Sequence, residues 1–136
     1  MEHLVLSVLP EYANQIANGK KLYEVRTKEF SVKDRKFYIY STKPEGLVLC
    51  RCEFDEPITG NAEELFTLYG LNSKIHYKDY IEYLRNRKPY FYPIRNVEVY
   101  KVSPTLTSKA PQFYRAVNRA EAHSLIYNNE VHKVRN

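Results

Sequence analysis

Gly19-Lys20-Lys21-Leu22-Tyr23-Glu24-Val25-Arg26, residues 19–26, is the stretch from which the rest of the chain is read. It follows a short helical pattern and opens a strand. Lys21, Glu24 and Arg26 thereby put charges of both signs on an otherwise core-like element. Unpaired charge near a core is costly to desolvate, so such charges must pair, lie on a solvated face, or face a cleft where a polar ligand replaces water. The plainest reading is a Glu24–Arg26 pair on a solvated strand, worth little energetically. The sharper one is a ligand cleft. In a regular strand Glu24 and Arg26 share a face while Lys21 points to the other. All three line one cleft only if the strand bulges or Lys21 reaches in from the turn after Gly19.

Upstream, His3 to Leu9 reads as a strand with Leu4, Leu6 and Val8 on one face. Pro10 suits the first turn of a helix, Tyr12, Ala13, Ile16 and Ala17 follow helical spacing, and Gly19 is a natural C-terminal cap. Downstream, the charged strand covers Lys21 to Thr27, and the polar, basic run from Phe30 to Arg35 reads as a loop. Lys36 to Thr42, rich in aromatic and β-branched residues, is a strand that exits through the turn Ser41-Thr42-Lys43-Pro44. Leu47 to Phe54 is a further strand, with Val48, Cys50, Cys52 and Phe54 on one face.

Asn61 with Glu64 three residues on resembles a capping box, opening a short helix that Gly70 ends. Tyr77, Tyr80, Ile81 and Leu84 recur at helical spacing, closed by Arg85, Arg87 and Lys88 and stopped by Pro89. Tyr90 to Ile94 and Asn96 to Val102 are the last main strands, separated by a bend at Pro93. Ala110 to Val117 predicts a short helix begun at Pro111. The polar, basic tail from Asn118 takes no assignment. The order predicts an α+β fold: a small mixed β-barrel of five or six strands with two or three short helices plugging its ends.

Composition bounds the function. The 136 residues form one domain's length, 43% hydrophobic and 27% charged, enough to bury a core. Thirteen Tyr and six Phe without a Trp supply flat faces that serve half-buried sheets and stacked bases alike. A net charge of +5 suits a polyanionic partner without requiring one. No signal peptide or membrane span is expected. Cys50 and Cys52 lie too close along one strand for an ordinary disulfide and lack the further Cys or His pair a metal site needs. They read as core thiols in a reducing cytoplasm. His3, His76, His123 and His132 are scattered, so no metal and no cofactor is expected.

Several segments together resemble the ASCH domain of the PUA-like β-barrel superfamily. Pro10-Glu11-Tyr12-Ala13 with Ile16 and Gly19 is similar to that family's first helix, and Gly19, Lys21, Glu24 and Arg26 to its Gly-x-Lys-x-x-Glu-x-Arg signature. Tyr40-Ser41-Thr42 before Pro44 resembles the strand that ends in a Ser/Thr-rich turn. Ala110-Pro111-Gln112 with Phe113 is a weaker match to a C-terminal segment. The resemblance covers Leu4 to Val117, so the expected division is an ASCH-like domain, 1–117, and a basic extension, 118–136, that can pack on the barrel. It implies binding of RNA or modified nucleosides in a cleft beside the signature strand and first helix. Some relatives hydrolyse acylated cytidine, and others are proposed as ribonucleases or coactivator components.

Three classes of function stay open. Binding of RNA or a modified nucleoside asks least: Lys21, Arg26 and Lys43 meet phosphate, Glu24 accepts from a base amino group, and Tyr23 or Tyr40 stacks on a ring. Ser41 and Thr42 complete the candidate ligand-binding set. An enzyme on the same cleft is the alternative, with Lys21, Glu24 and Tyr40 as candidate catalytic residues. The amidohydrolase relatives carry a Thr where Glu24 stands, and a carboxylate does not replace a hydroxyl nucleophile; their separate acidic residue has no secure counterpart among Glu63 or Glu64. A ribonuclease needs a base, an acid and a cation, and Tyr40, with an ordinary pKa of about 10, is a poor base without help. A protein-interaction module is the third class. Lys33, Arg35 and Lys36 extend a nucleic-acid track or form a solvated loop.

Overall fold

Seven strands form one curled, half-barrel sheet, with four helices packed against it. The computed structural model describes every residue, Met1–Asn136. The chain runs β1 (Glu2–Val8), α1 (Pro10–Ala17), β2 (Tyr23–Arg26), β3 (Arg35–Ser41), β4 (Leu47–Phe54), α2 (Ala62–Ser73), α3 (Tyr77–Leu84) and β5 (Tyr90–Tyr100). It ends with β6 (Tyr114–Ala116), a 3₁₀ turn at Arg119–Glu121, α4 (Ala122–Leu125) and β7 (Val131–Arg135). The sheet order is β2-β5-β4-β3-β1-β6, with β7 added to β5. The class is the expected α+β. The additional strands and helix lie in the last quarter of the chain. No helix is long and apolar enough to cross a membrane.

β1 is buried on both faces and lies parallel to β3, Leu4 opposite Phe37 and Leu6 opposite Ile39. Leu4, Leu6 and Val8 enter the main core with Ile16 of α1, Phe37, Cys50, Cys52, Phe54, Tyr92 and Ile94. Phe37 and Phe54 stack there at 4.4 Å. Both thiols are free and buried, and burial pushes them up, which leaves neither poised to react. The polar run after β2 is a loop, as expected, but it is anchored: Phe30 stacks on Tyr92 at 4.5 Å and Val32 is buried. The Phe30 N–H donates to the Tyr92 hydroxyl, which donates in turn to the Lys28 carbonyl.

The expected face of β4 is interrupted. Ile39 pairs with Cys50 but Tyr40 pairs with Val48, so a bulge at Leu49 reverses the alternation. Leu49 joins the main core, and Val48 turns to the opposite face with Tyr38, Tyr40, Tyr100 and Leu125. β5 is one continuous strand rather than two separated at Pro93. Its irregularity sits at Asn96, which adopts φ +54° where the register with β4 shifts, and the register with β7 shifts one step on, between Val97 and Glu98. Its first half pairs with β2 and its second with β7.

Two helical expectations change. α2 runs through Gly70 to Ser73, because the Phe66 ring lies where a Cβ at Gly70 would stand, 2.8 Å away, and Lys74 supplies the left-handed cap instead. At its start the Asn61 side chain accepts the Glu64 N–H, one half of the expected capping box. The helix predicted over Ala110–Val117 does not form. The Ser7 hydroxyl and N–H donate to the Pro111 and Phe113 carbonyls, and Tyr114–Ala116 pairs antiparallel with β1. The open edge of a buried strand demands hydrogen-bond partners, and that demand outweighs local helix signals.

The tail closes the second core. Arg51 gives one guanidinium nitrogen to the carbonyls of Leu125, Ile126 and Asn128, and its Nε to Glu98 at 2.9 Å. Glu121, fully buried, takes Arg115 at 2.5 Å together with the backbone N–H groups of Asn118 and Thr107. Burial alone would raise this carboxyl, but Arg115 and the two N–H groups hold it below its ordinary 4.5. The unfolded chain therefore takes up this proton first as pH falls. The stabilisation is complete above pH 4.5 and is lost as pH drops through the lower folded value. Glu121→Gln is expected to cost about 2 kcal/mol at neutral pH. The deficit against the parent should shrink under acid conditions, as read by denaturant titration across pH.

Candidate functional site

β2 alternates as a strand should. Tyr23 and Val25 turn toward Leu65, Tyr80 and Phe91 under α2 and α3, while Glu24 and Arg26 turn the other way. Lys21 lies ahead of the strand, in the turn that follows α1. There the N–H groups of Lys20 and Lys21 both donate to the Gln15 carbonyl. Gly19 makes this turn possible, with φ +80° and a position whose Cβ would stand 2.8 Å from Val134 of β7. From that turn Lys21 reaches the same side as Glu24 and Arg26, without a bulge in β2.

The three form a charged trio, with Lys21 and Glu24 buried and Arg26 half-buried. Glu24 Oε2 accepts from Arg26 Nε at 2.8 Å and from Arg26 Nη2 at 2.5 Å. Its Oε1 lies 3.9 Å from Lys21 Nζ, leaving room for a further donor. The Lys21 and Glu24 side chains are only 3% and 5% exposed. Lys21 Nζ also donates to the carbonyl of Ser73, the last residue of α2, where the helix dipole favours a cation. Arg26 Nη2 donates to the Ser7 carbonyl at 3.2 Å. Each cation also sits over an aromatic ring: Lys21 lies 4.8 Å from the Tyr12 centroid, and Arg26 5.2 Å from that of Phe113. Burial lowers the proton affinity of Lys21; Glu24 and Glu11 oppose that shift, and Arg26 adds to it.

This trio floors a cleft of about 690 Å³. Its walls are the end of β1 (Ser7, Val8), the start of α1 (Glu11, Tyr12), Thr42 after β3, Ile75, Asp79, Glu82 and Tyr83 of α3, and Gln112. A neighbouring groove of about 740 Å³ shares Glu11 and Ile75 with it and carries Lys74, His76, Phe66 and Tyr77.

Of the residues singled out in the sequence, the structure brings Lys21, Glu24, Arg26 and Thr42 together in this cleft. Tyr23 faces away and packs on Tyr69 at 5.0 Å. Tyr40 is buried beside Val48 in the second core, on the far side of the sheet. Ser41 is fully buried with its hydroxyl unpartnered, and Lys43 is exposed in the turn beyond the lining. Glu63 accepts from the Tyr77 hydroxyl and Glu64 is exposed on α2; both lie outside the cleft. In the basic cluster, Arg35 pairs with Glu2 and Lys36 with Glu98.

Sequence reasoning missed the α3 wall. The apolar spacing of Tyr77, Tyr80, Ile81 and Leu84 marks the helix, but only Tyr80 and Leu84 of these are buried. Asp79, Glu82 and Tyr83 carry their own helical stripe at i, i+3 and i+4, which was the available signal.

The trio sets up a contrast in stability. Glu24→Ala leaves the buried Lys21 and the half-buried Arg26 without their counter-ion and is expected to cost about 3 kcal/mol or more. Lys21→Met removes the most heavily desolvated charge while Glu24 keeps Arg26, and the thioether can rest on the Tyr12 ring. Its stability should stay within about 1 kcal/mol of the parent. Denaturant melts of the two variants measure the difference.

Comparison with known proteins agrees with this arrangement of elements. Among solved structures, an ASCH protein from Zymomonas mobilis superposes with a TM-score of 0.76 at 21% identity, over 90% of this chain and 92% of that one. A singly substituted form of it reaches 0.78 at 20% identity, over 90% and 93%. These likenesses establish the fold. A relative described as an ASCH domain-containing ribonuclease, from Zymomonas mobilis subsp. mobilis, is 30% identical over 82 residues, 57% of this chain and 55% of the relative. The chain thus spans about half of that relative's length. Residues 6–104, from β1 through β5 and including the charged trio, match the ASCH domain family. The chain belongs to the ASCH domain family.

Proposed function

We propose that this protein recognises RNA or a modified nucleoside by taking a single base into the cleft floored by Lys21, Glu24 and Arg26. The observation that carries this reading is the desolvated trio, with Lys21 and Glu24 buried beneath the cleft. Two cations and a carboxylate beneath a cleft are costly to desolvate, and apolar residues would fill the same space at no loss of stability. Glu24 Oε1, held only by a 3.9 Å contact to Lys21, is free to accept a hydrogen bond from an exocyclic amino group. The volume of about 690 Å³ accommodates a nucleoside and excludes a duplex. A strand continuing beyond the base crosses Glu11 and Ile75 into the adjoining groove, where Lys74 offers a cation to phosphate and Phe66 and Tyr77 offer rings.

The relative described as a ribonuclease favours a second reading, in which the bound RNA is cut. Lys21 supports it, because a lysine whose proton affinity is lowered by burial moves toward the range of a general acid or base.

Titration with single-stranded RNA, duplex RNA and free nucleosides tests both readings when the recovered ligand is checked by mass spectrometry. Saturable binding of single strands or nucleosides is expected, weaker for duplex, and at least about tenfold weaker in a folded Glu24→Gln variant, which loses the charged acceptor for the base amino group. Shortened RNA that disappears with Lys21→Met would establish cleavage. Equal binding by parent and the folded Glu24→Gln variant, or none by either, would overturn the cleft assignment.

A further inference from the structure

We propose that the cleft selects a nucleobase carrying positive charge, an N-alkylated or protonated ring, and admits no phosphate; this rests on the reading of the cleft as a nucleoside site. Two cations line the cleft against four carboxylates, Glu11, Glu24, Asp79 and Glu82. Both cations are already engaged. Lys21 is held by the Ser73 carbonyl and Glu24, and Arg26 by Glu24 and the Ser7 carbonyl. Neither stands ready at the mouth as a phosphate clamp would.

Glu11, Asp79 and Glu82 are different. All three are exposed along the wall, and none takes part in the ion pairs of this chain. They surround two aromatic faces, Tyr12 and the 38% exposed Tyr83. The phenol of Tyr12 feels this surrounding: burial raises its proton affinity, and Glu11, Asp79 and Glu24 raise it further. Its ring already holds a cation at 4.8 Å, the ammonium of Lys21. Rings backed by unpaired carboxylates attract a delocalised organic cation through both the ring quadrupole and the surrounding charge. The same carboxylates repel a phosphate. The backbone of an RNA ligand therefore stays outside, while the base enters.

The test compares affinities at pH 7 and low salt for adenosine, N6-methyladenosine and 1-methyladenosine, with cytidine and 3-methylcytidine as a second series. 1-Methyladenosine and 3-methylcytidine carry a ring positive charge under these conditions, whereas N6-methyladenosine carries its methyl group without charge. The charged nucleosides are expected to bind about tenfold more tightly than their neutral counterparts. The preference should fall at least threefold in Asp79→Asn/Glu82→Gln and on raising salt, and adenosine 5′-monophosphate should bind more weakly than adenosine. Equal affinity for charged and neutral nucleosides, a preference that survives the double substitution, or tighter binding of the monophosphate would overturn the proposal while leaving nucleoside recognition intact. Binding of none of these nucleosides would overturn both.

Discussion

The structure around the cleft depends on the Glu24 carboxylate. Without it, Lys21 and Arg26 would be two like charges brought close together in a largely desolvated space, a situation no nearby backbone dipole fully offsets. With it, each cation is free to reach a second partner on another element. Lys21 ties the turn after α1 to the C-terminal carbonyl of α2, and Arg26 ties β2 to the end of β1 and, through Phe113, to the segment that leads into β6. One carboxylate thus ties elements of the main core to elements of the apolar cluster under α2 and α3. Val25 faces the cluster under α2 and α3, whereas Leu6 and Val8 belong to the main core. The boundary between these two apolar bodies is polar, and the cleft lies along it.

The opposite side of the sheet is organised by the last residues of the chain. The bulge at Leu49 turns Val48 outward, where Tyr38, Tyr40 and Tyr100 already present apolar rings, and this second face needs a cover. Leu125 of α4 supplies it. Arg51 gathers three carbonyls at and after α4, groups that a helix end leaves unpaired, while Tyr100 donates to one of them at 2.7 Å. β7 then pairs with β5 and brings Val134 against Gly19, at the turn that launches Lys21. The tail and the signature stretch are therefore physically linked, although a hundred residues separate them in sequence.

What was legible in the sequence was what local chemistry fixes. Strand alternation, Pro10 at a helix start, Asn61 as a cap and the uninterrupted β character of β3 and β4 each depend on neighbours a few residues away. The α+β class and the placing of α1, α2 and α3 followed. The residues that local chemistry does not fix were harder to read. Ala110–Val117 has the composition of a helix start, but the open edge of β1 made it a strand, and nothing near it in sequence announces that edge. Tyr23 and Tyr40 were reasonable stacking candidates by residue type, yet strand parity turned one to the α2 side and burial in the second core removed the other. Lys21, conversely, looked misdirected by parity and reaches the cleft because the strand begins only at Tyr23.

Charge was read globally where it acts locally. A chain of net charge +5 suggests phosphate contacts, and that inference holds for long-range attraction to a polyanion. It does not carry into the cleft, whose lining has more carboxylates than cations and whose cations are spent on Glu24 and on backbone carbonyls. The excess positive charge must therefore lie elsewhere on the surface, as it does at Lys43 and at Lys74 beside the adjoining groove. On the proposed reading the two fields do different work. The outer charge brings the phosphate backbone to the protein, with a contribution that salt weakens and sequence does not alter. The carboxylate-lined cleft then judges the base alone, through ring faces and hydrogen-bond acceptors. A surface built so discriminates bases while binding backbones indifferently, because the two terms are carried by different residues and do not compete for the same side chains.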